Sequence, residues 1–269
     1  MSEIAAVVFD WAGTMIDFGC LAPVRALQDA FAAQGVPITE AQARRDMGRA
    51  KRDHLAALLS DRAVSAAWSK RFGKPPAPAD VERLYAVLEP LMREQAAAYT
   101  TLIPGAAEAA AWLTRRDIKI GSGTGYTRAM MAAILPRAAA QGYAPSVVVC
   151  AGETPEGRPS PLPMWKALVE LAAYPAWRCV KVDDAVVGIQ EGRAAGAWAI
   201  GVAASGNGVG LGLQAWQALS DAERHTRSAA AEQDLLGAGA DYVIATIADV
   251  TDVLVDIERR IAAGDRPGR

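Results

Sequence analysis

The sequence predicts an α/β fold, a doubly wound parallel sheet whose first crossover carries an inserted all-helical domain. Three observations lead there. Six short apolar runs rich in β-branched residues, at 5–9, 118–121, 146–150, 179–182, 199–202 and 242–244, read as strands buried on both faces. From the second run onward, helical segments at 106–116, 128–135, 163–171 and 188–195 alternate with them, the pattern that lays helices against a parallel sheet. Between the first two runs about a hundred residues intervene, where a crossover needs only a few tens.

Taken in order, the first strand ends on Asp10 and passes into the tight turn Trp11-Ala12-Gly13-Thr14. The insert opens with a helix at Pro23 that carries Val24, Leu27 and Phe31 on one face and closes at Gly35 and Pro37. Thr39 and Gln42 have capping-box spacing, which predicts a second helix running through Met47 to Leu59, with Met47, Lys51 and His54 on one face. Further helices are expected at 63–71 and, beyond Pro75-Pro76-Ala77-Pro78, at 79–100. Thr101-Leu102-Ile103-Pro104-Gly105 returns the chain to the sheet. The division is a core of residues 1–19 and 101–269 and a helical cap of residues 20–100, with 264–269 read as a disordered tail.

Composition narrows the function classes. At 269 residues and 52% apolar, the chain can bury a substantial core. A net charge of -2 and a pI near 5.8 give no footprint for nucleic acid or an anionic membrane. No apolar run approaches the roughly 18 residues of a membrane span, and no basic segment followed by an apolar one heads the chain. Cys20, Cys150 and Cys179 are odd in number and widely spaced, without the pairing of a zinc site or a secreted disulfide framework. The expectation is a soluble, cytoplasmic protein acting on a small molecule.

Four chemical elements each follow one of the first four strands. Asp10 is a carboxylate at a strand end before a turn, suited to nucleophilic phosphoryl transfer or metal binding, although alone it equally suits a turn cap. Gly121-Ser122-Gly123-Thr124-Gly125-Tyr126 sets a hydroxyl among glycines that allow close backbone approach to a phosphate. Gly157-Arg158-Pro159 supplies a forked cationic donor. Val182-Asp183-Asp184 supplies hard oxygen ligands for Mg2+. All four meet at the carboxyl edge of the sheet, where open α/β folds bind ligands.

On these residues the chain resembles the haloacid dehalogenase superfamily, across its Rossmann-like core and in strand order. Most hydrolases of that superfamily carry a second aspartate two residues after the nucleophile to protonate a leaving oxygen. Here that position is Ala12, which leaves either a silent protein or a leaving group other than oxygen. The segment Met47-Gly48-Arg49-Ala50-Lys51-Arg52-Asp53-His54, together with Asp10-Trp11-Ala12-Gly13-Thr14, Gly125-Tyr126-Thr127, Glu191-Gly192-Arg193 and Ser205-Gly206-Asn207, resembles the phosphonoacetaldehyde hydrolase branch, which cleaves a carbon to phosphorus bond.

The resemblance implies Asp10 as nucleophile, Lys51 as Schiff-base amine and His54 as proton shuttle. It implies substrate and phosphate contacts from Ala12, Cys20, Met47, Gly48, Thr124, Gly125, Tyr126 and Arg158. Mg2+ would be held by Asp10, the Ala12 carbonyl and Asp184, with Asp183 a further candidate; a homodimer through the cap is also implied. Two departures stand out: Gly188 where the wider superfamily often has an aspartate, and Gly123 in place of a hydroxyl beside Thr124. The residues leave two other readings open, a phosphatase or phosphomutase acting on a phosphate ester and a silent sensor of phosphonates.

Overall fold

The computed structural model of the chain describes residues 2–268 and contains, among them, one six-stranded parallel sheet. Its strands are β1 (Ala6–Phe9), β2 (Lys119–Gly123), β3 (Val147–Val149), β4 (Cys179–Asp183), β5 (Trp198–Val202) and β6 (Tyr242–Ile244). The order β3-β2-β1-β4-β5-β6 reverses between β1 and β4, so the switch point lies between the strand leading to Asp10 and the strand leading to Asp184. Phe9 is in register with Ser122 on one side and Val182 on the other, which brings the ends of β1, β2 and β4 level.

Five helices fill the insert: α1 (Leu21–Ala33), α2 (Glu40–Arg45), α3 (Lys51–Ser60), α4 (Arg62–Phe72) and α5 (Pro78–Ala98). They pack around their own apolar interior, in which Leu27, Phe31, Trp68, Leu84 and Leu88 are buried. The two linkers run side by side, the Ile103 N–H donating to the Met15 carbonyl at 2.9 Å and the Asp17 N–H to the Thr101 carbonyl at 3.3 Å. Asp17 also caps α1, its carboxylate accepting from the Leu21 and Ala22 amides at 3.0 and 2.9 Å. The core helices are α6 (Ala106–Arg115), α7 (Arg128–Met131), α8 (Ile134–Ala140), α9 (Leu162–Glu170), α10 (Val186–Ala194), α11 (Leu213–Gln217), α12 (Asp221–Gly237) and α13 (Val250–Ala262). None of the described helices is long and apolar enough to cross a membrane.

Three expectations are corrected. The Thr39–Gln42 capping box forms, but the helix it starts ends at Arg45, and the expected run to Leu59 is two helices. Gly48 is the cause: its φ of +91° lies in the left-handed region, and a Cβ there would come within 2.7 Å of Val187 Cγ2 on the core. Met47 therefore sits in a turn rather than on a helix face, yet its Sδ still lies 3.9 Å from Lys51 Nζ. The expected helix at 128–135 is likewise two, α7 and α8. Residues 264–268 are no loose tail, since Arg266 stacks 3.6 Å over the Trp177 ring and the Gly268 N–H donates to Asp241 at 2.8 Å; Arg269 lies outside the described residues.

Gly48→Ala is expected to lower the unfolding free energy by about 1–3 kcal/mol, since an alanine must hold the left-handed conformation and displace Val187. Urea titration followed by circular dichroism checks this, and an unchanged midpoint would contradict the account of the turn.

Candidate active site

The turn after β1 is built around its own main chain. The Gly13 amide donates to the Ile16 carbonyl at 2.8 Å, and the Thr14, Met15 and Ile16 amides donate to Trp11 at 3.2, 2.8 and 3.0 Å. The Trp11 and Ala12 amides take no part in these turn hydrogen bonds, which leaves them as the donors of the turn that could face a ligand. Thr14 turns its hydroxyl toward Asp184, 3.5 Å from Oδ1, and Asp184 Oδ2 accepts the Asn207 amide at 2.7 Å. Asp10, Asp183 and Asp184 are all buried and offer oxygens within 4.8 Å of one another.

Behind Asp10 lies a network of charges that the surrounding protein almost wholly removes from water. Arg158 Nη1 reaches Asp10 Oδ1 at 2.6 Å and Asp183 Oδ2 at 3.3 Å, while its Nε lies 3.0 Å from Glu191. Lys181 Nζ lies 3.2 Å from Asp183 and 2.9 Å from Glu191. Sequence reasoning missed Lys181 as a site residue and left Glu191 without a role. The available signal was a lysine inside the otherwise apolar strand Cys179-Val180-Lys181-Val182. A cation buried in a central strand requires carboxylate partners.

These contacts explain the two acids at the end of β4. Asp183 Oδ1 accepts the Ala185 amide at 3.0 Å and Oδ2 faces Lys181 and Arg158, so its oxygens are turned into the network. A Cβ on Gly188 would fall 2.0 Å from the Asp183 carboxyl carbon. The Asp183 carboxylate thus fills the space a side chain at 188 would need, which is the physical reason for the first departure noted in the sequence.

The cluster suits a divalent cation. Two buried cations, Arg158 and Lys181, face four buried carboxylates, Asp10, Asp183, Asp184 and Glu191, leaving two negative charges unbalanced. Burial and the neighbouring Asp183 push Asp10 up to about 6 against the pull of Arg158 and Lys181. Burial, Asp10 and Asp183 push Asp184 well above the usual carboxylate range. Hard carboxylate oxygens that resist carrying their charges together match an oxygen-liganded dication such as Mg2+.

The cap supplies the opposite wall. Asp10, Ala12, Cys20, Met47, Gly48, Lys51, Thr124, Gly125 and Tyr126 all line one cavity of about 20 Å³, and Arg158 lines an adjoining one with Gly48, Thr124 and Gly125. Lys51 is the first residue of α3, is 3% exposed, and holds its Nζ 5.6 Å from the centre of the Tyr126 ring. Burial lowers its pKa to about 8, against the pull of Cys20 and Asp10. Thr124 directly follows β2, its N–H donating to the Val149 carbonyl and its hydroxyl accepting the Tyr126 amide at 3.1 Å. Cys20 sits at the N-cap of α1 with φ 52° and is buried.

His54 is the one predicted catalytic residue that lines neither cavity. It is fully buried three residues beyond Lys51, its ring set against the Ala43 backbone. Burial and the Lys51 charge hold its pKa well below the usual imidazole range, so it is neutral near pH 7. The arrangement joins an amine and a carboxylate in one cavity and sets a forked guanidinium in the adjoining one, with the unpartnered Arg158 Nη2 as a donor for an anionic oxygen.

Lys181→Met, which keeps most of the stem and removes the charge, is expected to cost about 3–5 kcal/mol because Asp183 and Glu191 lose a buried partner. Denaturant unfolding measures it; a loss below about 1 kcal/mol, the range of a surface pair, would contradict the network's role.

Comparison with known proteins agrees with this geometry. A family model for haloacid dehalogenase-like hydrolases matches residues 4–196. A phosphonoacetaldehyde hydrolase from Paraburkholderia phytofirmans is 48% identical over 267 residues, covering 99% of this chain and 100% of the relative. Another from Hahella chejuensis is 44% identical, covering 98% of this chain and 90% of the relative. The solved structure of a phosphonoacetaldehyde hydrolase-like protein from Oleispira antarctica superposes with a TM-score of 0.97 at 42% identity, over 98% of this chain and 96% of that one. The chain belongs to the haloacid dehalogenase-like hydrolases, alongside the phosphonoacetaldehyde hydrolases.

Proposed function

We propose that the enzyme hydrolyses the carbon to phosphorus bond of phosphonoacetaldehyde, releasing acetaldehyde and phosphate in the degradation of 2-aminoethylphosphonate. The observation that carries this reading is the meeting of Asp10 and a buried Lys51 amine in one cavity whose wall at position 12 is a methyl group. An acid at that position serves a leaving oxygen. Here the leaving atom is carbon, which departs only if its electron pair has somewhere to go.

Lys51 supplies that sink. The neutral amine adds to the aldehyde carbonyl, and the proton the ammonium gave up returns to carry the carbonyl oxygen away as water, giving a protonated imine. Asp10 then attacks phosphorus; the electrons of the breaking bond flow into the imine to form an enamine, and the phosphoryl group passes to the Asp10 oxygen. One water cleaves the aspartyl phosphate. Protonation of the enamine carbon and hydrolysis of the resulting imine by a second water release acetaldehyde and restore Lys51.

The surrounding residues set the conditions for these steps. Arg158 donates to the phosphoryl oxygens from an orientation fixed by Glu191 and Asp183, and Thr124 and Gly125 line the phosphoryl side. Mg2+ held by Asp10, Asp184 and the Ala12 carbonyl would offset charge on the phosphoryl oxygens. Asp183 is assigned to holding Arg158 rather than the metal. Neutral His54, one turn along from Lys51, is assigned the role of proton shuttle, relaying the proton that leaves the ammonium rather than retaining it, because its own pKa is held low. Cys20, Met47 and Tyr126 enclose the aldehyde end and keep water from the imine. The helical insert 20–100 acts as the cap, and the reading carries with it a homodimer joined through that cap and a cytoplasmic setting.

Phosphate release from phosphonoacetaldehyde is expected to require Mg2+ and to fall roughly 10³-fold or more in Lys51→Ala. Full activity in that variant would exclude the imine route, and faster turnover of phosphate esters would favour a phosphatase instead. With Lys51 held near 8, inactivation by borohydride in the presence of substrate is expected to rise with pH through about 8 and then level, because only the unprotonated amine adds to the carbonyl. A profile still climbing near pH 10, as for an ordinary lysine, would contradict the depressed pKa.

A further inference from the structure

We propose that Arg44 and Asn207 form a latch that closes the cap and, when closed, sets the Asp184 carboxylate, which makes both of them positioning residues for the reaction. The proposal rests on the reading of Asp184 as the metal-side acid and extends it to the cap. Asn207 faces both ways. Its backbone N–H donates to Asp184 Oδ2 at 2.7 Å, its Nδ2 donates to the Arg44 carbonyl at 2.9 Å, and its Oδ1 accepts from Arg44 Nη1 at 3.3 Å.

Arg44 comes from α2 of the insert and grips the core at several points. Its Nη1 donates to the Gly19 carbonyl at 3.0 Å and its Nη2 to the Gly210 carbonyl at 3.1 Å, while Glu40 holds Nε at 2.8 Å. The Arg44 side chain is 13% exposed, so these carbonyls replace most of the hydration of its guanidinium. Gly210 has φ +70° and a Cβ there would lie 2.6 Å from Arg44 Cζ; the loop admits the guanidinium only because that residue is glycine.

Two further observations make this a contact that opens. The cavity between Asp10 and Lys51, about 20 Å³, has room for about one water and none for an organophosphonate, so substrate reaches Lys51 only when the cap moves away. Beside it, Arg44 and Asn207 line a cleft of about 610 Å³ along the seam, which also reaches Met47 and Asp184. Opening there releases the Arg44 fork to water and frees Asn207 from the cap side. Closing restores both and presses the Asn207 amide onto Asp184 as Lys51 comes into place.

The test uses the full chain with Mg2+ and follows alkylation of Cys20 by iodoacetamide, mapped by mass spectrometry. Cys20 is buried at the seam, and Cys179, buried in β4, serves as the internal reference. Arg44→Met and Asn207→Ala are each expected to raise Cys20 alkylation about tenfold, with the double variant within about twofold of the faster single, because both break one latch. Mg2+ affinity measured by calorimetry is expected to weaken severalfold in Asn207→Ala, which keeps the backbone donor to Asp184 but frees it from the side-chain anchor on Arg44. Arg44→Lys, which keeps the charge and loses the fork, replaces Arg44→Met should that variant not fold. Arg45→Ala, in the same cleft but paired with Asp61, is expected to leave Cys20 protected.

Wild-type protection of Cys20 in folded variants overturns the latch, as do single effects that multiply in the double variant or an equal rise in Arg45→Ala. A lowered unfolding midpoint with Cys20 still protected marks a merely structural contact and also overturns it. Unchanged Mg2+ affinity overturns the link to Asp184. If the wild type leaves phosphonoacetaldehyde intact while alkylation responds as expected, the functional reading falls and the latch stands.

Discussion

The buried network of Asp10, Arg158, Asp183, Lys181 and Glu191 is the constraint on which the rest of the site depends. Charges removed from water are tolerated only when every partner is in place, so the network fixes where each member sits. Arg158 is held from three sides at 2.6, 3.3 and 3.0 Å, which orients its remaining donor without help from a ligand. Lys181 reaches the same acids from beneath, inside β4. The demand extends to backbone choice: the position of the Asp183 carboxylate leaves Gly188 no room for a side chain. The two negative charges that the internal cations leave over are what make the edge a place for a divalent ion.

The cap answers this edge with the opposite electrostatic strategy. Where the core keeps its charges by pairing them, the cap removes water from Lys51 so that the amine gives up its proton near pH 8. Under the latch proposal that effect depends on closure, because opening the seam would rehydrate Lys51 and return it toward the ordinary lysine value. Closure in turn rests on contacts such as those of Arg44 and Asn207, which touch the core beside Asp184. On that proposal one movement assembles both halves of the chemistry, nucleophile on phosphorus and amine on carbon.

Much of this was legible in the chain because it follows from local rules. The strands announced themselves as short apolar runs, and the acid, hydroxyl, arginine and acid pair fell at strand ends that a parallel sheet must gather at one edge. What stayed hidden depended on contacts between distant segments. Gly48 breaks the helix predicted through Met47 because the turn must settle on Val187, some 140 residues away in sequence, which no local periodicity reports. Lys181 looked like one polar residue in an apolar strand until Glu191 and Asp183 were seen around it. The neutral state of His54 follows from complete burial next to a cation, and the packing of Arg266 on Trp177 from two segments that meet only in the fold.

The central claim, that Asp10 acts on phosphorus while Lys51 holds the carbon, is tested most directly by mass mapping of Lys51 after a single turnover with phosphonoacetaldehyde quenched in borohydride. The account predicts an N-ethyl group on Lys51 in the wild type, where the phosphoryl group has already left. In Asp10→Asn it predicts an N-phosphonoethyl group on the same nitrogen, because the imine forms but the bond to phosphorus survives. An active wild type with unmodified Lys51, or an N-ethyl group in Asp10→Asn, would contradict it.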